Sequence, residues 1–176
     1  PNKEKSRRGE GASIHAEIKK YRHIKTLPQS VILDGGDVLN TEKKIFVGIS
    51  GRTNLEAVDA LSKFAKKPVV PVEVVFGLHL KTAVTYLGNN ILVLDPSSVN
   101  ATALTGFKWI ETGEPERYAA NCLTIGNTVL MARGFNKLAN KIRREGFKTL
   151  ELDMSEFEKA NGGISCLSII FKKDID

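Results

Sequence analysis

A thiol, an imidazole and a carboxylate, set far apart along the chain, are the groups that could do covalent chemistry. Cys166 follows Asn161-Gly162-Gly163 and opens an apolar run, His79 lies in Gly77-Leu78-His79-Leu80, and Asp34 and Asp37 bracket two glycines in Asp34-Gly35-Gly36-Asp37. These residue types make up a cysteine nucleophile system, in which a thiolate attacks, an imidazole moves the proton and an acid orients the imidazole. The chain has three histidines and two cysteines, so few combinations exist and each is testable at a single residue. The glycines before Cys166 allow a sharp turn or a close approach of a ligand, which would leave the thiol open to a substrate. A cysteine there could equally be a small buried hydrophobe, and Cys122, with no glycine before it, reads that way. His79 can take a proton from a thiol and return it to a leaving group near neutral pH, or it is simply structural. His15 and His23 lie on or beside an amphipathic helix and read as surface residues.

Asp-Gly is a turn pair, so the stretch around Asp34 and Asp37 is a turn. It either does no more than turn, or it presents carboxylates to a cleft. In the second case one orients an imidazole and the other holds a cation or the loop itself. Ser50-Gly51-Arg52-Thr53-Asn54 follows a strand and opens a helix. Arg52 there can grip a carboxylate through two hydrogen bonds, or it is solvated while Thr53 or Asn54 caps the helix. Arg7, in Ser6-Arg7-Arg8, is either a second anion contact or part of a charged tail.

The elements that must carry these groups recur. Two apolar strands around a tight turn, then a helix, then another strand, appear three times at intervals of about 40 residues. The first copy has strands at 38–39 and 45–49, a helix over 53–66 ended by Pro68, and a strand at 69–72. The second has strands at 82–87 and 91–94 around Gly88-Asn89-Asn90, a short helix from the Asp95-Pro96-Ser97-Ser98 start to about Leu104, and a strand at 107–110. The third has strands at 120–125 and 128–132, a helix over 136–144 stopped by Gly146, and a strand at 147–152. Repeated ββαβ units about a pseudo-symmetric axis fit this order better than a helix-free propeller or a hairpin-free doubly wound sheet. Outside the repeats, 10–21 reads as an amphipathic helix and 153–156 as a helical turn. Residues 164–171 read as a strongly apolar strand with no hairpin partner in the chain, its partner expected upstream of Pro1.

Length and composition narrow the function classes. The 176 residues suffice for one domain with its own core. No apolar run reaches the ~18 residues of a membrane span, and the polar start does not read as a secretory signal. Two cysteines make no disulfide framework and fit reduced thiols in the cytoplasm. The net charge of +6 is spread over scattered lysines and arginines, with no zinc-ligand spacing and no aromatic-rich RNA signature. Neither nucleic acid nor a membrane is expected as a partner. The initial proline reads as a processed start, a truncation or a fragment boundary.

Taken in order, these segments resemble the dimethylarginine dimethylaminohydrolases, guanidino-group-modifying enzymes of the pentein superfamily. The matching residues are Leu33-Asp34-Gly35-Gly36-Asp37-Val38-Leu39, Phe46-Val47-Gly48-Ile49-Ser50 with Arg52-Thr53-Asn54, and Gly77-Leu78-His79-Leu80-Lys81. Ala119-Ala120-Asn121-Cys122, Met154-Ser155-Glu156 and Ser165-Cys166-Leu167-Ser168 complete the set. The resemblance implies a pentein-type α/β propeller of ββαβ units, of which residues 1–176 form one catalytic domain with about three of five units. It implies Cys166 as nucleophile, His79 as general acid/base and Asp34 as the acid that orients it. It further implies Arg52, Arg7 and Asp37 as substrate-binding residues and Cys122 as a cysteine that is not the nucleophile. The implied reaction cleaves a guanidinium C–N bond through a covalent thiouronium, gives citrulline and an amine, and needs no cofactor or metal. The partner is a small guanidino compound, and a homodimer is compatible with the resemblance. Two features depart from the family: the segment carrying the acids that grip the guanidinium is not in this chain, and an acid often found near the nucleophile is Asn161 here. Arginine deiminases and amidinotransferases share the same three groups. Deiminases typically carry an acid two residues after the histidine, where this chain has Lys81. A chain without the upstream acids could also be an inactive fragment, and the non-catalytic ribosome anti-association factors of the same fold lack the triad.

Overall fold

The structure is a computed structural model that describes residues 11–171. Arg7 lies outside the described residues. Helix α1 spans Gly11–Ile18, shorter than the 10–21 expected, and Ile14 on it is exposed. Then a ββαβ unit follows, repeated twice more along the chain. In the first unit β1 (Val38–Asn40) and β2 (Ile45–Ile49) form an antiparallel hairpin, α2 (Glu56–Ser62) crosses over, and β3 (Val69–Glu73) returns parallel to β2. The second unit begins with a helical turn α3 (Leu80–Ala83), then β4 (Val84–Gly88), β5 (Ile91–Leu94), a 3-10 turn at Ala101–Leu104 and β6 (Lys108–Glu111). In the third, a 3-10 turn at Glu114–Ala120 precedes β7 (Leu123–Ile125), β8 (Thr128–Ala132), α4 (Asn136–Arg144) and β9 (Lys148–Leu152). Each sheet has the same order, with the second strand in the middle, antiparallel to the first and parallel to the third.

The middle strands are the most apolar and the most buried. Every residue of β5, Ile-Leu-Val-Leu, is buried, as expected for a strand covered on both faces. The first strands β1, β4 and β7 contact one another in sequence, which sets the three units around a common side. The two largest core clusters therefore bridge units. One cluster joins Leu87, Val93 and Ile110 of the second unit to Met131, Leu138 and Ile142 of the third. Another joins Phe46 and Val72 of the first unit to Val84, Leu92 and Leu104 of the second. Helix α4 has the expected bounds because Leu138, Ala139 and Ile142 form one buried stripe on an otherwise charged helix.

Four expected elements differ, and in three of them a polar side chain outweighs local preference. The helix expected over 53–66 runs only from Glu56 to Ser62. Thr53 and Asn54 bond to the 30–37 segment instead of capping it, and the Ser62 hydroxyl returns to the Val58 carbonyl at 2.8 Å. The strand expected from Thr82 begins at Val84, because the Leu80 N–H is drawn to Asp37 and Thr82 bonds back to the His79 carbonyl at 2.6 Å, closing a helical turn. The Asp95 start makes a tight turn, with its carboxylate accepting from Ser97 and Ser98, and the short helix that follows is 3-10 and capped by Asn100. Pro115 sits early in a 3-10 turn, so the strand expected from Ala120 begins at Leu123.

The apolar strand expected over 164–171 does not form. Ile164–Leu167 is a 3-10 turn, and 168–171 has no regular structure. A strand needs a neighbouring edge to take its backbone hydrogen bonds, and among the described residues none pairs with this segment. Leu167, Ile169, Ile170 and Phe171 are left exposed, with the Phe171 ring 5.7 Å from that of Tyr21.

Candidate active site

Asp34 stands at the start of a 3-10 turn, Gly35–Asp37, and its Oδ1 accepts the Gly36 N–H at 3.1 Å. The Asp34 N–H donates to Thr53 Oγ1 at 3.1 Å, which ties the turn to the segment after β2. Asp34 Oδ2 then lies 3.4 Å from His79 Nε2, with both side chains about seven-eighths covered. Gly36 is required for this approach. A Cβ there would stand 2.6 Å from His79 Cγ, so only glycine lets the ring lie against the turn.

Asp37 is fully buried. Its Oδ2 accepts from Ser50 Oγ at 2.8 Å and Thr53 Oγ1 at 2.6 Å, and its Oδ1 accepts the Leu80 N–H at 2.9 Å. One carboxylate thus fastens the turn carrying Asp34, the loop after β2 and the residue next to His79. This is the loop-holding role that the turn chemistry left open, and it occupies both oxygens. Arg52 sits in the tight turn bridged by Ser50 and Thr53, its N–H donating to Ser50 Oγ at 3.0 Å. Its backbone is therefore anchored to the Asp37 network.

Cys166 occupies the 3-10 turn after Gly163, and its side chain is exposed. Its Sγ lies 4.0 Å from the Nδ2 of the buried Asn121. The preceding segment is strapped down by the Tyr118 hydroxyl, which donates to the Gly162 carbonyl at 2.7 Å. Burial raises the Tyr118 phenol above its ordinary range, and Glu158 and Cys166 add to the effect. A cavity of about 610 Å³ runs from residues that flank His79, namely Gly77, Leu78 and Thr82, to Asn121 and Gly163 beside Cys166. Arg117 forms part of its wall, paired with Asp95 at 2.9 Å and lying 4.8 Å from the Phe76 ring.

Lys81, two residues beyond His79, is a further charge close to these groups. Burial pulls its ammonium below the usual lysine range, while Cys166, Asp34 and Asp37 act on it in the opposite direction. It lines a second space of about 350 Å³ with Cys122, Ser165 and residues of β1 and β4. Cys122 is wholly buried, and desolvation pushes its thiol up to about 12 despite a hydrogen bond with Thr85. Sequence reasoning overlooked Asn121 and Tyr118 as members of this site. Asn121 stood inside a matched motif but was shadowed by its neighbour Cys122. Nothing in the sequence marked Tyr118, because its role depends on a contact 44 residues away.

No protein-family profile matches the chain. It is similar to a dimethylarginine dimethylaminohydrolase of Pseudomonas aeruginosa, 33% identical over 173 residues that cover 94% of this chain and 67% of that protein. A Streptomyces coelicolor protein of the same name is 32% identical and is also covered over 67% of its length. This chain therefore spans about two thirds of these relatives. Among solved structures, the Pseudomonas aeruginosa enzyme, as a cysteine-to-serine mutant complexed with citrulline, aligns at a TM-score of 0.90 and 31% identity. The alignment covers 97% of this chain and 69% of that one. The N-terminal domain of the arginine dihydrolase ArgZ shares the fold at a TM-score of 0.88 with 23% identity, covering 96% of this chain and 68% of that one. A shared fold over 97% of the chain, and a third of the residues shared with two named enzymes, leave one assignment: the chain belongs to the dimethylarginine dimethylaminohydrolase family, with a pentein fold.

Proposed function

We propose that this chain hydrolyses the C–N bond of a methylated, arginine-type guanidinium through a covalent intermediate on Cys166. A guanidinium resists attack because its positive charge is delocalised, so an amine nucleophile or water alone is too weak and a thiolate is needed. Cys166 Sγ attacks the guanidinium carbon, and the C–N bond to the dimethylamino group breaks as His79 gives that nitrogen a proton. An S-alkylthiouronium remains. His79 then takes a proton from water, the hydroxide adds to the same carbon, and the C–S bond breaks to release citrulline and regenerate the thiolate. Asp34 keeps the imidazole oriented and offsets its positive charge in the protonated state. Arg52 and Arg7 take the substrate α-carboxylate. Asp37 contributes by fastening the loops that carry Asp34 and His79, not by touching the substrate.

The observation that supports this reading most is the approach of Asp34 Oδ2 to His79 Nε2 at 3.4 Å, made possible by a glycine under the ring. The cavity lined by Gly77, Leu78, Thr82, Asn121 and Gly163 borders the segments that carry His79 and Cys166, which supports one substrate site serving both. The reduced cysteines suit a cytoplasmic enzyme. The test is product analysis with Nω,Nω-dimethylarginine and with arginine. Dimethylamine and citrulline from the first substrate, with little ammonia from the second, are expected. Ammonia from arginine as the dominant product would replace this reading with a deiminase.

A further inference from the structure

Asn121 is buried, 5% exposed, at the end of the Glu114–Ala120 turn, and it faces the Cys166 turn with both ends of its amide. Its Oδ1 accepts the Ser165 N–H at 3.0 Å, and its Nδ2 points at Cys166 Sγ from 4.0 Å. The first bond fixes the second. A backbone N–H can be met only by the amide oxygen, so the NH₂ must face the sulfur. Gly163 makes room for this arrangement, since a Cβ there would stand 2.4 Å from Asn121 Nδ2. An N–H directed at sulfur stabilises the thiolate more than the thiol, because hydrogen bonds to an ionised acceptor are shorter and stronger.

We propose that Asn121 is the positioning residue of the nucleophile, its carbonyl pinning the backbone of the Cys166 turn and its NH₂ holding the thiolate ready for attack. The proposal rests on the reading of Cys166 as nucleophile, but its test does not require turnover. The rate of alkylation of Cys166 by iodoacetamide, followed by mass against pH without substrate, reports on the thiolate directly. Lys81 of α3 and Tyr118 of the Glu114–Ala120 turn interact electrostatically with this sulfur, and the variants leave both in place, along with His79 and Asp34.

Asn121→Asp keeps the oxygen that meets Ser165 but puts a carboxylate where the donor was. Its alkylation profile should move to higher pH by about one unit, with a roughly tenfold slower rate at neutral pH. Gly163→Ala keeps Asn121 but displaces its amide and should move the profile the same way. The buried Cys122 is the internal gauge of folding, staying unmodified while the fold holds. The proposal is overturned if both profiles overlay the parent while Cys122 stays protected. It is equally overturned if the shift occurs only together with modification of Cys122. If the parent chain releases no citrulline yet both profiles shift, the hydrolase reading fails and the role of Asn121 stands.

Discussion

At the scale of single residues, His79 is held in place by contact as much as by charge. The ring rests on Gly36 and faces Asp34, so the smallest addition to the turn disturbs it. Gly36→Ala should keep the fold and lower turnover of dimethylarginine by about 100-fold, the usual cost of an ångström-scale misplacement of a catalytic group. Unchanged kcat with unchanged thermal stability would show that the ring does not need this seat. The two thiols are opposites. Cys166 is exposed in a turn, whereas Cys122 is wholly buried and its ionisation is pushed up to about 12. One equivalent of iodoacetamide label on native protein, mapped to Cys166, is the expected result at pH 8. Label on Cys122 before unfolding would contradict its placement.

At the scale of elements, Asp37 is the fastener. Three donors from one loop and a helix start meet on one buried carboxylate. Asp37→Asn turns one accepting oxygen into a donor facing donors, and should cost about 2 kcal/mol, read as a lower urea midpoint. It should also lower turnover, because the segments carrying Asp34 and His79 are tied through it. A midpoint equal to the parent's would remove Asp37 from this role. The same residue explains what the sequence could and could not disclose. The hairpins and α4 were legible because their apolar spacing decides them locally, as with Leu138, Ala139 and Ile142. The shortened α2, the helical turn before β4 and the turn around Cys166 were not, because Thr53, Asp37 and Asn121 reach across the chain to set them. The types and order of Asp34, His79 and Cys166 were legible, whereas the partners that hold them are defined by contacts distant in sequence, from 13 residues for Asp37 with Ser50 to 44 for Asn121 with Ser165.

At the scale of the whole molecule, the two largest core clusters couple neighbouring units. Ile142 of α4 is fully buried in the cluster shared by the second and third units. Ile142→Ala should cost about 2–5 kcal/mol and lower the single unfolding transition as a whole. Separate melting of the third unit alone would show that the units are not coupled. The alkaline limit of the fold follows from Cys122 in the same cluster. Its folded-state ionisation is raised above the ordinary value of 9.0, to about 12, so its contribution to stability is complete below pH 9.0 and lost as pH climbs toward about 12. Urea midpoints of the parent chain should fall more steeply over that window than those of Cys122→Ala, and parallel curves would contradict the assignment.

The most direct test of the central claim is the intact mass of the chain, mixed with Nω,Nω-dimethylarginine and quenched in acid. A thiouronium adduct on the parent protein that disappears, together with all citrulline formation, in Cys166→Ser is the predicted result. Citrulline release at the parental rate from Cys166→Ser would contradict it.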